Sequence, residues 1–246
     1  MELFKFVKRL HDECIRLSKH VVFDKKHPRH LHLVGLYGTL IEMAGSLITL
    51  IDRGHRTGVP PIFRAFLEAY VELKNLHKEA DYGYHMDASW HEQQIKVLKE
   101  AKNNLNHYLK SIAEIPNIDE VIQKFEQDLA NLKKKGFNPL NVFQRFERAD
   151  MKDEYRSLYN LLSNYAHSNI TALIDRHAEI HKNDFTVVYY KDEPLEGFLP
   201  YLDTTAVSLT DASMKIHDFF KTGSIGEIEK LSQELSKIRS HYSSFA

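Results

Sequence analysis

Apolar residues recur every three or four positions along most of the chain, the spacing of helices with one buried face. The clearest stripe lies near the start, at intervals of four, three, four, three and four: Leu3, Val7, Leu10, Cys14, Leu17 and Val21. Similar stripes mark seven later segments, at 31–52, 61–79, 90–113, 118–135, 152–178, 200–221 and 225–242. The sequence therefore predicts an all-α protein built as a multi-helix bundle.

The pattern places these helices in a single domain over residues 1–246. Segments 90–113 and 118–135 have single apolar seams, are rich in Lys, Glu and Gln, and are separated by Pro116. With Ser89 as the N-cap of the first helix, they predict an antiparallel hairpin over about 88–136 that projects from the core or lies across it. The C-terminal helices, about 200–242, complete the domain.

One segment departs from the helical pattern. Phe185-Thr-Val-Val-Tyr-Tyr190 is β-branched or aromatic throughout, which predicts a minor β element near 185–190. A single strand forms no sheet, so we expect a small hairpin or an edge used between chains.

Charge and composition limit the function classes. The 246 residues hold 33 Lys and Arg against 34 Asp and Glu, a net charge of -1. Nucleic acid would therefore bind only through a local basic patch. The N-terminus interleaves charged and apolar residues, unlike a secretory leader. Residues 31–51 are long enough to cross a membrane but include Glu42, which is costly in lipid. We expect a cytoplasmic protein with no membrane partner.

Three apolar helices each carry a polar stripe on one face. In segment 31–52 the stripe is Glu42, Ser46 and Thr49, and in segment 61–79 it is Arg64, Glu68 and Glu72. In segment 152–178 it is Arg156, Asn160, Ser163 and His167. If they converge, they form a partly buried pocket with two arginines, carboxylates and a histidine. The alternative is an ion-pair network that only supports packing, because Arg64 and Glu68 can pair at i,i+4.

A second candidate is Arg176-His-Ala-Glu-Ile-His181, which resembles the Arg-x4-His ribonuclease motif of the all-α HEPN superfamily. The resemblance implies metal-independent RNA cleavage, in which histidine moves the 2′-hydroxyl proton and arginine stabilises the charged phosphorane. Fifteen histidines make a chance match common. Five helical positions also separate the two side chains by about 140°, so they converge only if the helix ends or bends there.

Two further motifs carry a family resemblance. Arg64-Ala-Phe-Leu-Glu68 follows a Gly-Val-Pro-Pro turn, and Tyr159, Ser163 and His167 follow each other at intervals of four. The stretch from about 30 to 180 resembles the bacterial family known only as domain of unknown function 5677. That resemblance implies a helical fold and a bacterial or phage origin, but no established reaction. Relatives of this general kind are similar to toxin and phage-defence proteins.

Two functional hypotheses follow. The first is a HEPN-like, RNA-cleaving toxin or antiviral defence protein that uses His167 or His181 with an arginine. His167 is preferred, because Arg156, Asn160 and Ser163 share its face. The second is a non-catalytic helical module that binds a partner protein or small ligand in the polar pocket.

Cofactors and metals are not expected. The histidine groups 27/30/32 and 177/181 lack cysteine or carboxylate partners at a diagnostic spacing. Besides RNA, we expect a second copy of the chain or a partner protein, bound through the coiled-coil-like end helices.

Overall fold

The structure is a computed structural model that describes residues 1–103, 106–166, 169–182, 184–191 and 193–243. Helix accounts for 77% of it, which confirms the all-α fold with a minor β element. The helices are α1 Glu2–Ser18, α2 Pro28–Asp52, α3 Val59–Lys78, α4 Tyr82–Lys102, α5 Lys110–Ala113, α6 Ile118–Lys134, α7 Val142–Arg148, α8 Lys152–Glu154, α9 Asn160–Ala166, α10 Ile170–His177, α11 Leu199–Phe219 and α12 Ile225–Ser243. The strands are β1 Ala178–Ile180 and β2 Phe185–Val187.

The chain divides into two compact units where the sequence predicted one domain with a hairpin. The first unit comprises residues 1–78 and 146–246, and the second comprises residues 79–145. In the second unit α4 packs against α6 around Ala88, Ile95 and Leu129, as the hairpin pattern predicts. α4 begins at Tyr82 and not near residue 90, so Ser89 is not its N-cap. Ser89 lies inside the helix, where its hydroxyl donates to the His85 carbonyl.

The core of the first unit lies between α1, α2, α3 and α11. The apolar stripe of α1 is buried there, and the seam of α12 packs on α1 and α11. Within the described residues, α2 is the one helix whose length and composition would suit a membrane span. One third of its apolar window is buried, and the buried residues include Leu33, Tyr37, Leu40 and Leu47.

The segment predicted as one helix over 152–178 is divided. A π-helical turn, Tyr155–Tyr159, joins α8 to α9. Asn169 caps the next helix, because its side-chain oxygen accepts from the Ala172 N–H at 3.0 Å. α10 ends at His177, and the chain enters an antiparallel hairpin in which Ala178 lies opposite Val187 and Ile180 opposite Phe185. The side chains of β2 are all exposed.

Candidate functional site

Polar residues of α3 and of the segment 155–163 meet in one cluster. Arg64 Nε donates to Tyr159 Oη at 2.9 Å, and Arg64 Nη1 donates to Ser163 Oγ at 3.4 Å. The Tyr159 hydroxyl donates to Glu68 Oε1 at 2.7 Å, and Arg64 also lies 3.4 Å from that carboxylate. The structure thus brings together four of the five residues that carry the family resemblance.

Each side chain of the cluster is hydrogen-bonded to at least one other member. Burial, and then the hydrogen bond to Glu68, raise the pKa of Tyr159 to about 12. The Arg64 guanidinium lies over the Tyr159 ring, 4.8 Å from its centre. The phenol is therefore neutral, and its hydroxyl already has a donor and an acceptor. This geometry suits a tie between α3 and the π-helical turn better than an acid or base.

Three other residues of the predicted pocket are on the surface. Glu42, Arg156 and Asn160 are exposed on the surface. The Asn160 amide donates to the Arg156 carbonyl one turn earlier, at 3.4 Å. His167 lies outside the described residues, so its contact with Glu68 stays a prediction.

The two ends of the Arg-x4-His motif occupy different places. Arg176 is buried in the last turn of α10, and its Nη2 donates to the Tyr165 carbonyl at 2.7 Å. His181 is exposed at the hairpin tip, where Nε2 lies 3.0 Å from Thr186 Oγ1. Arg176 lines two cavities, whereas His181 lines neither of them.

The larger cavity has a volume of about 480 Å³, within the range of small-ligand sites. It lies between the loop that precedes α3 and the segments that flank the hairpin. Its polar lining comprises His55, Arg56, Arg176, His177 and Lys191, and its aromatic lining comprises Tyr189 and Tyr190. No carboxylate is among the described residues that line it, and the lining cation Arg56 is paired with Asp175 and Glu193, which lie outside this lining.

Pairing with the hairpin fixes the tautomer of His177. The Val188 N–H donates to the His177 carbonyl at 2.9 Å, which extends the ladder by one residue. The Val188 carbonyl lies 3.0 Å from His177 Nδ1. Because a carbonyl only accepts, Nδ1 carries the proton in the neutral ring, and Nε2 keeps a lone pair. The wall of the cavity therefore holds a potential base next to Arg176.

A smaller cavity of about 250 Å³ shares Arg56 and Arg176 with the larger one. Arg56 is held there by two carboxylates, at 2.5 Å from Asp175 and 3.0 Å from Glu193. The rest of its lining is largely apolar and includes Phe198. Arg56 therefore lines the larger cavity while its guanidinium is paired with two carboxylates.

Metal-ligating groups do not gather in the described part of the chain, which has no cluster of three or more His, Cys, Asp or Glu suited to an ion. His27 and His30 do stack, with ring centres 4.3 Å apart. Burial raises the pKa of the lone Cys14, whose sulfur lies 3.1 Å from Ser213 Oγ.

Sequence reasoning did not select His55, Lys191, Tyr189 or Tyr190. These residues come from segments far apart in the chain, and no periodic pattern links them. The available signal was local: consecutive tyrosines followed by lysine, directly after a strand.

Comparison with known proteins identifies a family whose function is unknown. No curated protein and no solved structure matches the chain. Residues 30–185 match the family described as "Family of unknown function (DUF5677)". The matched range includes both motifs that carry the resemblance, Arg64 to Glu68 and Tyr159 to His167, and extends over more than half of the chain. The chain therefore belongs to this family.

Proposed function

We propose that this protein binds RNA in the larger cavity and cleaves it without a metal, with His177 as the base and Arg176 as the group that stabilises charge. The observation that carries the proposal is the hydrogen bond from His177 to the Val188 carbonyl. It leaves Nε2 as an acceptor on a wall that also holds Arg176. The basic lining supplies the local patch that a chain of net charge -1 needs for RNA.

The chemistry is an internal transesterification. His177 Nε2 takes the proton of a ribose 2′-hydroxyl, and the 2′-oxygen forms a bond to the adjacent phosphorus. The bond from phosphorus to the 5′-oxygen breaks, and this oxygen takes up one proton, for which His55 on the same cavity is the candidate donor. The products are a 2′,3′-cyclic phosphate and a 5′-hydroxyl end. Arg176 faces the negative charge that builds up on the phosphorane.

The biological role that we propose is one that such a reaction could serve. A cytoplasmic enzyme that cleaves RNA would act as a bacterial toxin or in defence against phage. The cleavage chemistry is compatible with this role.

A second candidate function is a non-catalytic helical module that binds a small ligand or partner protein. The observation that favours it is the cluster of Arg64, Glu68, Tyr159 and Ser163, whose members are hydrogen-bonded or ion-paired to one another. In this alternative, the residues of the family motif support the fold, and the basic cavity binds an anionic ligand without reacting with it.

Cleavage of mixed-sequence RNA in chelator separates the two functions. The proposal predicts activity in the wild type, and its loss in Arg176→Ala and in His177→Ala. His181→Ala serves as the matched control, because His181 lines neither cavity. Activity that survives in His177→Ala but disappears in His167→Ala or His181→Ala would overturn the assignment. Binding without cleavage by the wild type would favour the module.

A further inference from the structure

Two consecutive tyrosines on the cavity wall are unusually open to solvent. Tyr189 is 92% exposed and Tyr190 is 59% exposed. Both lie directly after Val188, which is hydrogen-bonded twice to His177. The pairing that fixes His177 therefore also places two aromatic rings beside it.

Tyr190 is positioned before any ligand arrives. Its hydroxyl lies 3.4 Å from His55 Nδ1 and 3.5 Å from the Arg53 carbonyl. Its ring is at 87° to the His55 ring, with centres 6.1 Å apart. A ring that is held in place but still open to solvent loses little conformational freedom when a flat ligand stacks on it.

We propose that the cavity selects single-stranded RNA, with unpaired bases stacked on Tyr189 and Tyr190 and the backbone phosphates facing Arg176 and Lys191. This inference rests on the proposed function and adds the class of substrate. Aromatic rings together with cations form the usual platform for single strands, because every base has a π-face. Lys191 and Arg176 on the cavity wall supply the cations, Arg56 adds a third that is paired with Asp175 and Glu193, and the two tyrosines supply the rings.

Duplex RNA lacks what this surface would bind. Its bases are stacked on each other, and its major groove is too deep and narrow for side chains to read. A duplex would contact the cations through its phosphates alone. The two rings should therefore contribute to the binding of single strands and add nothing for duplexes.

The test measures the affinity of two RNAs for the full-length His177→Ala variant, which keeps the RNA intact. One is a short single strand with a fluorescent 2-aminopurine base, and the other is the same strand paired with its complement. We expect the single strand to bind at least about tenfold more tightly and its fluorescence to be quenched by stacking. Added Tyr189→Ala or Tyr190→Ala should weaken single-strand binding about tenfold and leave duplex binding unchanged.

Tyr189→Phe is the matched control, because it keeps a 92% exposed ring and removes only the hydroxyl. It should retain single-strand affinity and quenching. Equal affinity for the two RNAs, or an equal loss for both RNAs in the alanine variants, would overturn the inference.

The result also separates this inference from the proposed reaction. Binding of single strands that depends on the tyrosines, in a protein that never cleaves RNA, would leave the inference standing and remove the catalysis. If the wild type cleaves RNA, both alanine variants cleave it equally well, and single strands and duplexes bind equally, the catalysis would stand and this inference would be removed.

Discussion

The Tyr159 hydroxyl joins two charged side chains, and Tyr159→Phe removes it with little other change. The hydroxyl accepts from Arg64 at 2.9 Å and donates to Glu68 at 2.7 Å. The ring, which packs 5.0 Å from Phe146 centre to centre, would stay in place. The substitution therefore tests the hydrogen bonds of the cluster separately from its packing.

The magnitude follows from two hydrogen bonds to charged partners. Such a bond contributes about 1.5–3 kcal/mol when buried. The side chains of Arg64 and Glu68 are 23% and 30% exposed, so water replaces part of each lost bond, and their direct contact at 3.4 Å remains. We expect the free energy of unfolding to fall by about 1–2 kcal/mol in total. The matched control is Tyr189→Phe, the same change at a 92% exposed site, which should stay within about 0.5 kcal/mol of wild type.

Urea unfolding of the two variants measures this difference, and a double-mutant cycle shows its origin. Combining Tyr159→Phe with Glu68→Ala should give a coupling energy above about 0.5 kcal/mol, because each substitution removes the same hydrogen bond. A loss for Tyr159→Phe no larger than that of Tyr189→Phe, or strictly additive effects in the cycle, would refute this reasoning.

Two other predictions concern buried charge and pH. Burial, and then His20, lower the pKa of His217 below its ordinary value of 6.5, so the unfolded chain binds the proton more readily. The neutral His217 side chain makes its full contribution to the free energy of unfolding above about pH 6.5, and this contribution is lost as pH falls through the lowered pKa. In urea unfolding at a series of pH values, the free energy of unfolding should therefore fall less steeply below about pH 6.5 for His217→Gln than for the wild type. Asp175→Asn removes one carboxylate from Arg56. It should strengthen RNA binding a few-fold at low salt and cost about 0.5–1 kcal/mol of stability, whereas Asp52→Asn, a change in an exposed pair, should do neither.

Much of the fold could be predicted from side-chain periodicity. The stripe of α1 predicted a buried face, and its members Leu3, Leu10 and Leu17 are each at most 1% exposed. Periodicity could not locate the breaks between residues 152 and 178. The π-helical turn at 155–159 has no counterpart in the apolar spacing, and α10 begins at Ile170 with Asn169 as its cap.

The polar stripes predicted part of the candidate site. Arg64 and Glu68 do meet, because residues four apart share a helix face, and Ser163 of α9 contacts Arg64 across the two helices. The exposed positions of Glu42 and Arg156 show that a shared stripe alone does not bring side chains from different helices together. The apolar stripes of α1 and α12 are buried within their own unit. The binding of a partner protein or a second copy through these helices stays a prediction.

The basic cavity could not be predicted from one sequence. It joins a loop near residue 56 to residues 176–177 and 189–191, and only the hairpin brings the last two segments together. The role of His177 depends on the Val188 carbonyl, a partner eleven residues away. No helical spacing encodes such a contact.

The most direct measurement of the central claim is the chemistry of the cleaved ends. Purified wild-type protein is incubated in chelator with a short single-stranded RNA, and the products are weighed by mass spectrometry beside those of His177→Ala. Attack by the 2′-oxygen with His177 as the base predicts 2′,3′-cyclic phosphate and 5′-hydroxyl ends from the wild type and intact RNA from His177→Ala. It also predicts no reaction where the 2′-hydroxyl at the cleaved position is replaced by hydrogen. Intact RNA in every sample, or 5′-phosphate ends that still form with His177→Ala, would contradict it.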